Sequence, residues 1–196
     1  YYDKNLELKN VNLSYFDLKI SSENISLKKN NKFYIIKGKF KNSKKIIPKE
    51  IISLIFKNES LDKVILSSEN DFSFKINKKY KISDLSIKSK VNLDEANFKL
   101  NNKFIKNYIP DFENKFKFIN NVLDIKYKKN IFIKGNGKVE IGNKKEEIEY
   151  NLNFIDDKLS YELVVFLNKV LIKFDLINLL KKENVKSKIK IKGKNS

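Results

Sequence analysis

The sequence lacks seven residue types, and each absence removes a kind of chemistry. The 196-residue chain contains no Cys, His, Met, Trp, Arg, Gln or Thr. Without Cys and His there is no disulfide, no thiol nucleophile and no imidazole base, and zinc and copper lose their usual ligands. Without Arg, no bidentate guanidinium can hold a phosphate or a guanine. We therefore predict that the chain is not an enzyme and uses no metal and no cofactor.

The residues that remain are dominated by lysine and asparagine. All 42 basic residues are Lys, against 24 Asp and Glu, so the formal net charge is +18. Lys, Asn, Ile, Phe and Tyr are also the residues that A- and T-rich codons encode. The composition of the gene therefore explains much of the charge, and selection for a polyanionic partner is the alternative.

Long apolar runs are absent too. The longest, residues 163–167, is far shorter than the roughly 18 to 20 residues of a membrane-spanning helix. The hydrophobic content of 41% and the aromatic content of 12% argue against disorder. The chain starts without Met, carries no signal-peptide pattern and stops just after a strand-like segment. We expect residues 1–196 to be a single β-rich segment of a longer protein, with any membrane anchor outside it.

Alternation of apolar and polar residues is the dominant pattern. It is typical of strands with one buried and one wetted face, and short joints of Asn, Asp, Lys and Gly separate the alternating segments. Residues 131–141, for example, keep Ile, Gly and Val on one parity and mostly polar residues on the other. The pattern predicts a mostly β, antiparallel meander.

Three short helical inserts interrupt the alternation. We predict them near 46–57, where Pro48 stands close to the start, and near 102–109, just before Pro110. The third, near 175–182, is predicted as a capped turn or a short helix, with Asp175 at the start and lysines at the end.

The strands are compatible with two architectures. A long curved sheet, shaped like a taco, would leave its apolar face lining a groove, whereas a closed β-sandwich would bury two such faces against each other. Periodicity does not separate these alternatives.

The motifs that suggest chemistry have simpler explanations. Gly135-Asn136-Gly137 begins a dinucleotide-type motif, but strand alternation continues through it, which favours glycines in a bent or bulged strand. The acidic pairs at 94–95, 146–147 and 156–157 are adjacent residues, which point to opposite faces of a strand and do not form an acid–base pair. Ile-Lys-Gly recurs three times, ending at Gly38, Gly135 and Gly193, and this indicates repeated hairpin units.

The lysines and the aromatic residues fall mostly on opposite parities. Inward-facing aromatics cannot stack on bases, so we expect no specific nucleic-acid partner. A lysine-covered face should still attract anionic membrane surfaces.

Five segments share a further likeness; they are residues 47–52, 64–66, 71–75, 80–87 and 131–139. In this order they resemble the central region of bacterial AsmA-like proteins, in particular the long bridge-like lipid transfer proteins related to YhdP and TamB.

The resemblance implies a β-groove that crosses the periplasm from an inner-membrane anchor. Phospholipid acyl chains would move in this groove towards the outer membrane, as part of outer membrane biogenesis in the cell envelope. Neighbouring β-groove segments of the same chain would extend it.

The predicted groove lining consists of apolar-parity residues. They are Phe72, Phe74, Ile76, Leu85, Ile87, Leu123, Ile125, Ile131, Ile133, Val139, Ile141, Ile148, Tyr150, Leu152, Tyr161, Leu163 and Val165. The alternatives to a lipid conduit are a structural or interaction β-sandwich domain of an envelope or surface protein, and a basic polyanion-binding domain.

Overall fold

The computed structural model of the chain is built almost entirely of strands. It describes residues 5–15, 18–30, 32–55, 61–100, 103–156 and 158–194. The strands are β1 (Asn5–Tyr15), β2 (Leu18–Lys29), β3 (Phe33–Ile46), β4 (Leu61–Asn77), β5 (Ile82–Lys99), β6 (Lys115–Tyr127), β7 (Ile131–Ile141), β8 (Lys144–Ile155), β9 (Lys158–Phe166), β10 (Ile172–Phe174), β11 (Leu179–Lys181) and β12 (Ile189–Lys194).

Ten of these strands form one antiparallel sheet. Strands β1 to β9 pair in chain order and β12 pairs with β9, while β10 and β11 form a separate two-stranded sheet. The large sheet is curved and does not close into a barrel. The predicted meander is therefore confirmed, and the closed β-sandwich alternative is wrong because the described residues contain no second large sheet to cover the first.

Short polar turns explain the chain-order pairing. Between β4 and β5, the side-chain oxygen of Asn77 accepts hydrogen bonds from the backbone N–H groups of Lys79 (2.9 Å) and Lys81 (3.0 Å). An Asn side chain used in this way replaces backbone partners and reverses the chain within four residues. Each strand is thereby returned beside the one before it.

Two of the three predicted helical inserts are confirmed. Helix α1 spans Lys49–Ile55 and helix α2 spans Lys103–Tyr108. The carbonyl of Pro48 accepts hydrogen bonds from the N–H groups of Ile51 and Ile52, as expected for a proline at the start of a helix. Residues 56, 57 and 102 of the predicted inserts lie outside the described residues.

The third insert, predicted near 175–182 as a capped turn or a short helix, forms a turn at its start, and the short-helix alternative is wrong. Asp175–Ile177 form a single 3₁₀ turn, and Asn178 then takes a left-handed conformation (φ 50°). A right-handed helix cannot continue through such a residue. The next three residues instead form β11, which pairs with β10.

The two ends of the strands differ in their connections. At one end, which we call the hairpin edge, β2–β3, β4–β5, β6–β7 and β8–β9 are joined by short turns. At the other end, the long-loop edge, lie three long connections, whose described residues are 47–55, 103–114 and 167–188 and contain α1, α2 and the β10–β11 pair. The long connections therefore all lie at one edge, where they can fold back over the sheet.

These connections cover part of the apolar face. Phe112 and Val170, which are 1% and 0% exposed, pack with Ile172 on the sheet residues Val139, Ile141, Ile148 and Tyr150. In a smaller cluster, Ile47, just before α1, and Ile52, within α1, pack against Val64 and Ala96. The apolar face is thus sealed near the long-loop edge.

A buried carboxylate holds the third connection in place. Glu146 is 2% exposed, and its Oε1 accepts hydrogen bonds from the backbone N–H groups of Lys169 (2.5 Å) and Val170 (2.9 Å). Glu147 is exposed on the other face, as predicted for adjacent acidic residues of a strand. Both hydrogen bonds bring the chain near Val170 onto the core.

Replacing this carboxylate should destabilise the fold. We expect Glu146→Ala to lower the free energy of unfolding by about 2–4 kcal/mol, because two N–H groups lose a charged acceptor inside the protein. Urea denaturation measures the change, and amide hydrogen exchange at residues 169 and 170 should accelerate. The matched variant Glu147→Ala should stay within about 0.5 kcal/mol of wild type. Equal losses in both variants would contradict this account.

A candidate apolar binding surface

Strand register brings the apolar residues of the sheet onto one face. Directly paired residues of neighbouring strands share a face. One row of such partners crosses nine strands without a charged residue. It runs through Leu8, Ile25, Gly38, Phe72, Ile87, Tyr127, Ile131, Phe154 and Leu159. The apolar face is therefore continuous across the sheet.

Part of this face is an open concavity of about 310 Å³ on β1 to β5. Four residues predicted to line a groove, Phe72, Phe74, Leu85 and Ile87, contribute to its wall. The ring of Phe72 lies 5.8 Å from that of Phe40 and 6.0 Å from that of Phe74, measured between centroids. Three neighbouring aromatic rings thus form a largely apolar wall.

The sequence analysis missed the other half of this wall. The concavity is completed by Val11, Leu13, Ile20, Ile25 and Phe40, with Ser22 as its polar member. Val11 and Leu13 follow the alternation in β1, but Ile20 and Ile25 have opposite parity and share the wall because of a register shift between Ser21 and Ile25. Alternation alone therefore carried only part of the signal. Leu13 is 61% exposed, which leaves its side chain available to a ligand.

Other predicted lining residues are part of the closed core. Val139, Ile141, Ile148 and Tyr150 are buried beneath the long connections, so they do not contribute to an open surface. Five more pack partly buried against this core: Leu123, Ile133, Leu152, Leu163 and Val165. Alternation identified the face of each residue, but not the segments that cover it.

The four remaining predicted lining residues, Ile76, Ile125, Ile131 and Tyr161, are partly buried outside this core. They lie on the same apolar face by register: Ile125 pairs with Ile133, Ile131 with Tyr127, and Tyr161 with Leu152. None of them lines the concavity of about 310 Å³.

The recurring Ile-Lys-Gly motif makes room for aromatic rings on this face. Each of its glycines pairs directly with an aromatic residue: Gly38 with Phe72, Gly135 with Tyr150 and Gly193 with Tyr161. A Cβ at Gly135 would lie 2.4 Å from the Tyr150 ring. The ring can therefore lie flat on the sheet only because the partner has no side chain.

Gly137 serves the bulge that was predicted near the Gly-Asn-Gly segment. The irregularity lies on the neighbouring strand, between Ile119 and Val122 of β6. Asn121 fills it, and its Nδ2 donates hydrogen bonds to the carbonyls of Ile119 and Lys138, both at 3.0 Å. A Cβ at Gly137 would lie 2.5 Å from the Asn121 side chain, so the glycine accommodates the bulge.

The opposite face carries lysines that pair with carboxylates across strands. Hydrogen bonds from Lys190 (2.6 Å) and Lys192 (3.0 Å) lower the pKa of Glu162. Partial burial opposes ionisation of Glu95, but Lys63 (3.2 Å) and Lys117 (3.3 Å) outweigh it and lower its pKa. These carboxylates therefore offset part of the lysine charge on this face.

Within the described ranges, no group of three or more acidic residues is arranged to hold a metal ion. In the same part of the chain, no helix is long and apolar enough to cross a bilayer.

Comparison of the chain with protein-family models, with curated proteins and with solved structures gave no match. The function is therefore argued from the geometry of the apolar face.

Burial of Tyr150 generates a prediction about alkaline pH. Burial raises the pKa of its phenol to about 12, above the value of about 10 for an unfolded chain. Between these values the unfolded chain loses this proton first, so the contribution of Tyr150 to stability is complete below about pH 10 and falls as the pH rises towards about 12. An ultraviolet titration of tyrosinate should show one late component.

The Tyr150→Phe variant should lose that late component. Tyr80→Phe, which removes a side chain that is 87% exposed, should keep it. A late component that survives in Tyr150→Phe would contradict the assignment.

Proposed function

We propose that this chain is a non-enzymatic segment of a lipid-transfer protein, in which the apolar face shields phospholipid acyl chains from water. The observation that carries the proposal is the apolar row across nine strands, together with the open concavity that it borders on β1 to β5. A surface of this extent on a single-layered sheet requires a hydrophobic occupant.

Acyl chains suit this surface because their binding needs area and no specific chemistry. Each methylene group that leaves water contributes about 0.8 kcal/mol. The wall of the concavity offers aliphatic and aromatic side chains and a single serine, Ser22. Such a wall accepts chains of varied length and allows them to slide along it.

The two outermost strands of the sheet, β1 and β12, support extension by neighbouring segments. In the described part of the chain, β1 pairs only with β2 and β12 pairs only with β9. Strand β1 is 11 residues long and exposes Leu6, Leu8 and Leu13. An unprotected edge of this length readily accepts another strand. We propose that β-groove segments of the same protein continue the sheet beside β1 and beside β12.

The cellular setting is part of the same proposal and rests on the resemblance to AsmA-like proteins. The segment would belong to a protein anchored in the inner membrane, and its groove would lie in the periplasm on a route to the outer membrane. Its partners would be phospholipids and the adjoining segments of the groove.

Site-specific photocrosslinking tests which face meets lipid. A photoreactive residue at Leu13 or Ile87 should capture phospholipid in cells, because both side chains line the concavity. The same residue at Ser14 or Lys88, the next position in each strand, should capture little because it points to the opposite face. Equal capture at both parities would overturn the proposed groove.

A charge placed in the concavity should reduce lipid binding without unfolding the protein. Leu13→Asp should lower the phospholipid that co-purifies with the chain by about tenfold, because an unpaired carboxylate is costly beside acyl chains. The exposure of Leu13 keeps the effect on the thermal midpoint small. The matched variant Ser14→Asp should retain lipid at the wild-type level, and a comparable loss there would argue against the concavity as the binding site.

A further inference from the structure

The two ends of the strands also differ in their charge. The turn between β2 and β3 carries Lys29 and Lys32, and the turn between β4 and β5 carries Lys78, Lys79 and Lys81. All five side chains are exposed, and within the described part of the chain none of them forms an ion pair. These five residues are called the lysine rim.

No carboxylate is close in sequence to neutralise the lysine rim. Residues 24–40 and 72–83 contain no Asp and no Glu. Asp84, just beyond the second turn, pairs with Lys75 at 2.7 Å, and this hydrogen bond lowers its pKa. The rim therefore presents uncompensated positive charge.

The long-loop edge offers the opposite arrangement. Lys144 pairs there with Asp111 (3.1 Å) and with Glu183, and Asp62 pairs with Lys49 (3.6 Å) and Lys99 (3.4 Å). These carboxylates offset part of the lysine charge at this edge. The two turns of the lysine rim differ because they contain no carboxylate.

The lysine rim stands at the hairpin-edge side of the concavity. Strands β2 to β5 carry Ile25, Phe40, Phe74 and Leu85 on its wall and lead directly into the two lysine-bearing turns. Lys78 follows Phe74 by four residues, which is about 13 Å along a strand. An amphiphile with its chain against Phe74 can therefore place its polar end among the rim lysines.

The other end of the same strands carries an apolar cluster. Ile47 and Ile52 pack there on Val64 and Ala96 and seal the apolar face. Between this cluster and the concavity lie Asn42, Ser68 and Asn70, which hydrogen-bond to one another and carry no charge. The charged border of the concavity is therefore the lysine rim.

An exposed aromatic residue adds to the argument. Tyr80 stands between Lys79 and Lys81 and is 87% exposed, and the next apolar residue, Ile82, is also exposed. Tyrosine has an apolar ring and a polar hydroxyl, and it favours the level at which head groups meet acyl chains. Such a residue fits the boundary between a basic rim and an apolar wall.

We propose that the lysine rim binds the anionic phosphate head groups of lipids whose acyl chains occupy the concavity. The inference rests on the proposed lipid-transfer function and adds to it the class of head group and its orientation towards the hairpin edge. Each lysine beside an anionic head group strengthens binding by about fivefold. The groove therefore prefers phosphatidylglycerol-type lipids to zwitterionic ones.

The test offers the 196-residue chain vesicles that contain equal amounts of phosphatidylglycerol and phosphatidylcholine. The vesicles are then removed, and the lipids retained by the protein are quantified by mass spectrometry. The wild-type chain should be enriched in phosphatidylglycerol. The triple variant Lys78→Gln, Lys79→Gln and Lys81→Gln should lose at least about fivefold of that enrichment, with little change in the total lipid retained.

A matched variant controls for net charge. Lys169→Gln, Lys182→Gln and Lys186→Gln remove the same number of charges from exposed positions near the long-loop edge, and this variant should keep the wild-type preference. Circular dichroism should show native strand content for both triple variants, because every substitution is at an exposed side chain.

Three results would overturn the inference. One is an equal loss of preference in both triple variants, which would make net charge the cause. Another is an unchanged preference in the rim variant. The third is weaker sedimentation of the rim variant with vesicles but unchanged composition of its retained lipid, which would make the rim a membrane-docking surface. In all three cases the protein still retains lipid, so the proposed lipid-transfer function is not contradicted. If the wild-type chain retained no lipid, both proposals would be overturned.

Discussion

A single-layered sheet with one apolar face must cover that face, and this constraint governs the rest of the structure. Ten strands bring their apolar residues to one side, and no second large sheet packs against it in the described part of the chain. Among the described residues, cover comes from the long connections at one edge, with Phe112 and Val170 at the centre of the closed core. The hydrophobic effect is satisfied near that edge, and the apolar wall of β1 to β5 is left open.

The polar interactions are arranged around this partial cover. Glu146 is buried and accepts hydrogen bonds from the backbone N–H groups of Lys169 and Val170, which holds this connection against the core. Carboxylates on the opposite face pair with lysines across strands and reduce repulsion in a chain of net charge +18. The positive charge that stays unpaired at the lysine rim borders the open part of the apolar face.

Together these features describe a surface suited to an amphiphile. The apolar wall would receive the chains, the sealed edge would limit how far they enter, and the basic rim would receive the head group. No residue in this arrangement needs to perform acid–base or nucleophilic chemistry. This arrangement is compatible with an amino-acid composition without histidine, cysteine or arginine, in which lysine is the only cationic residue and the apolar residues supply the binding area.

Much of the fold could be predicted from the sequence because strand alternation and turn chemistry are local. The parity of Phe72 and Ile87, the polar turns and the first two helical inserts are all encoded within a few neighbouring residues. The third insert could not be predicted, since Leu179 and Leu180 suit a helix as well as a strand. Their pairing with β10 decided the outcome.

The sequence by itself determined which side of each strand is apolar, and hence that one face of the sheet is hydrophobic. Only the tertiary structure decided which part of that face stays open. Ile148 and Phe72 follow the same alternation, yet Ile148 is sealed by Phe112 and Val170, while Phe72 faces a concavity. The covering residues are tens of positions away in the chain, and local periodicity carries no information about contacts at that distance.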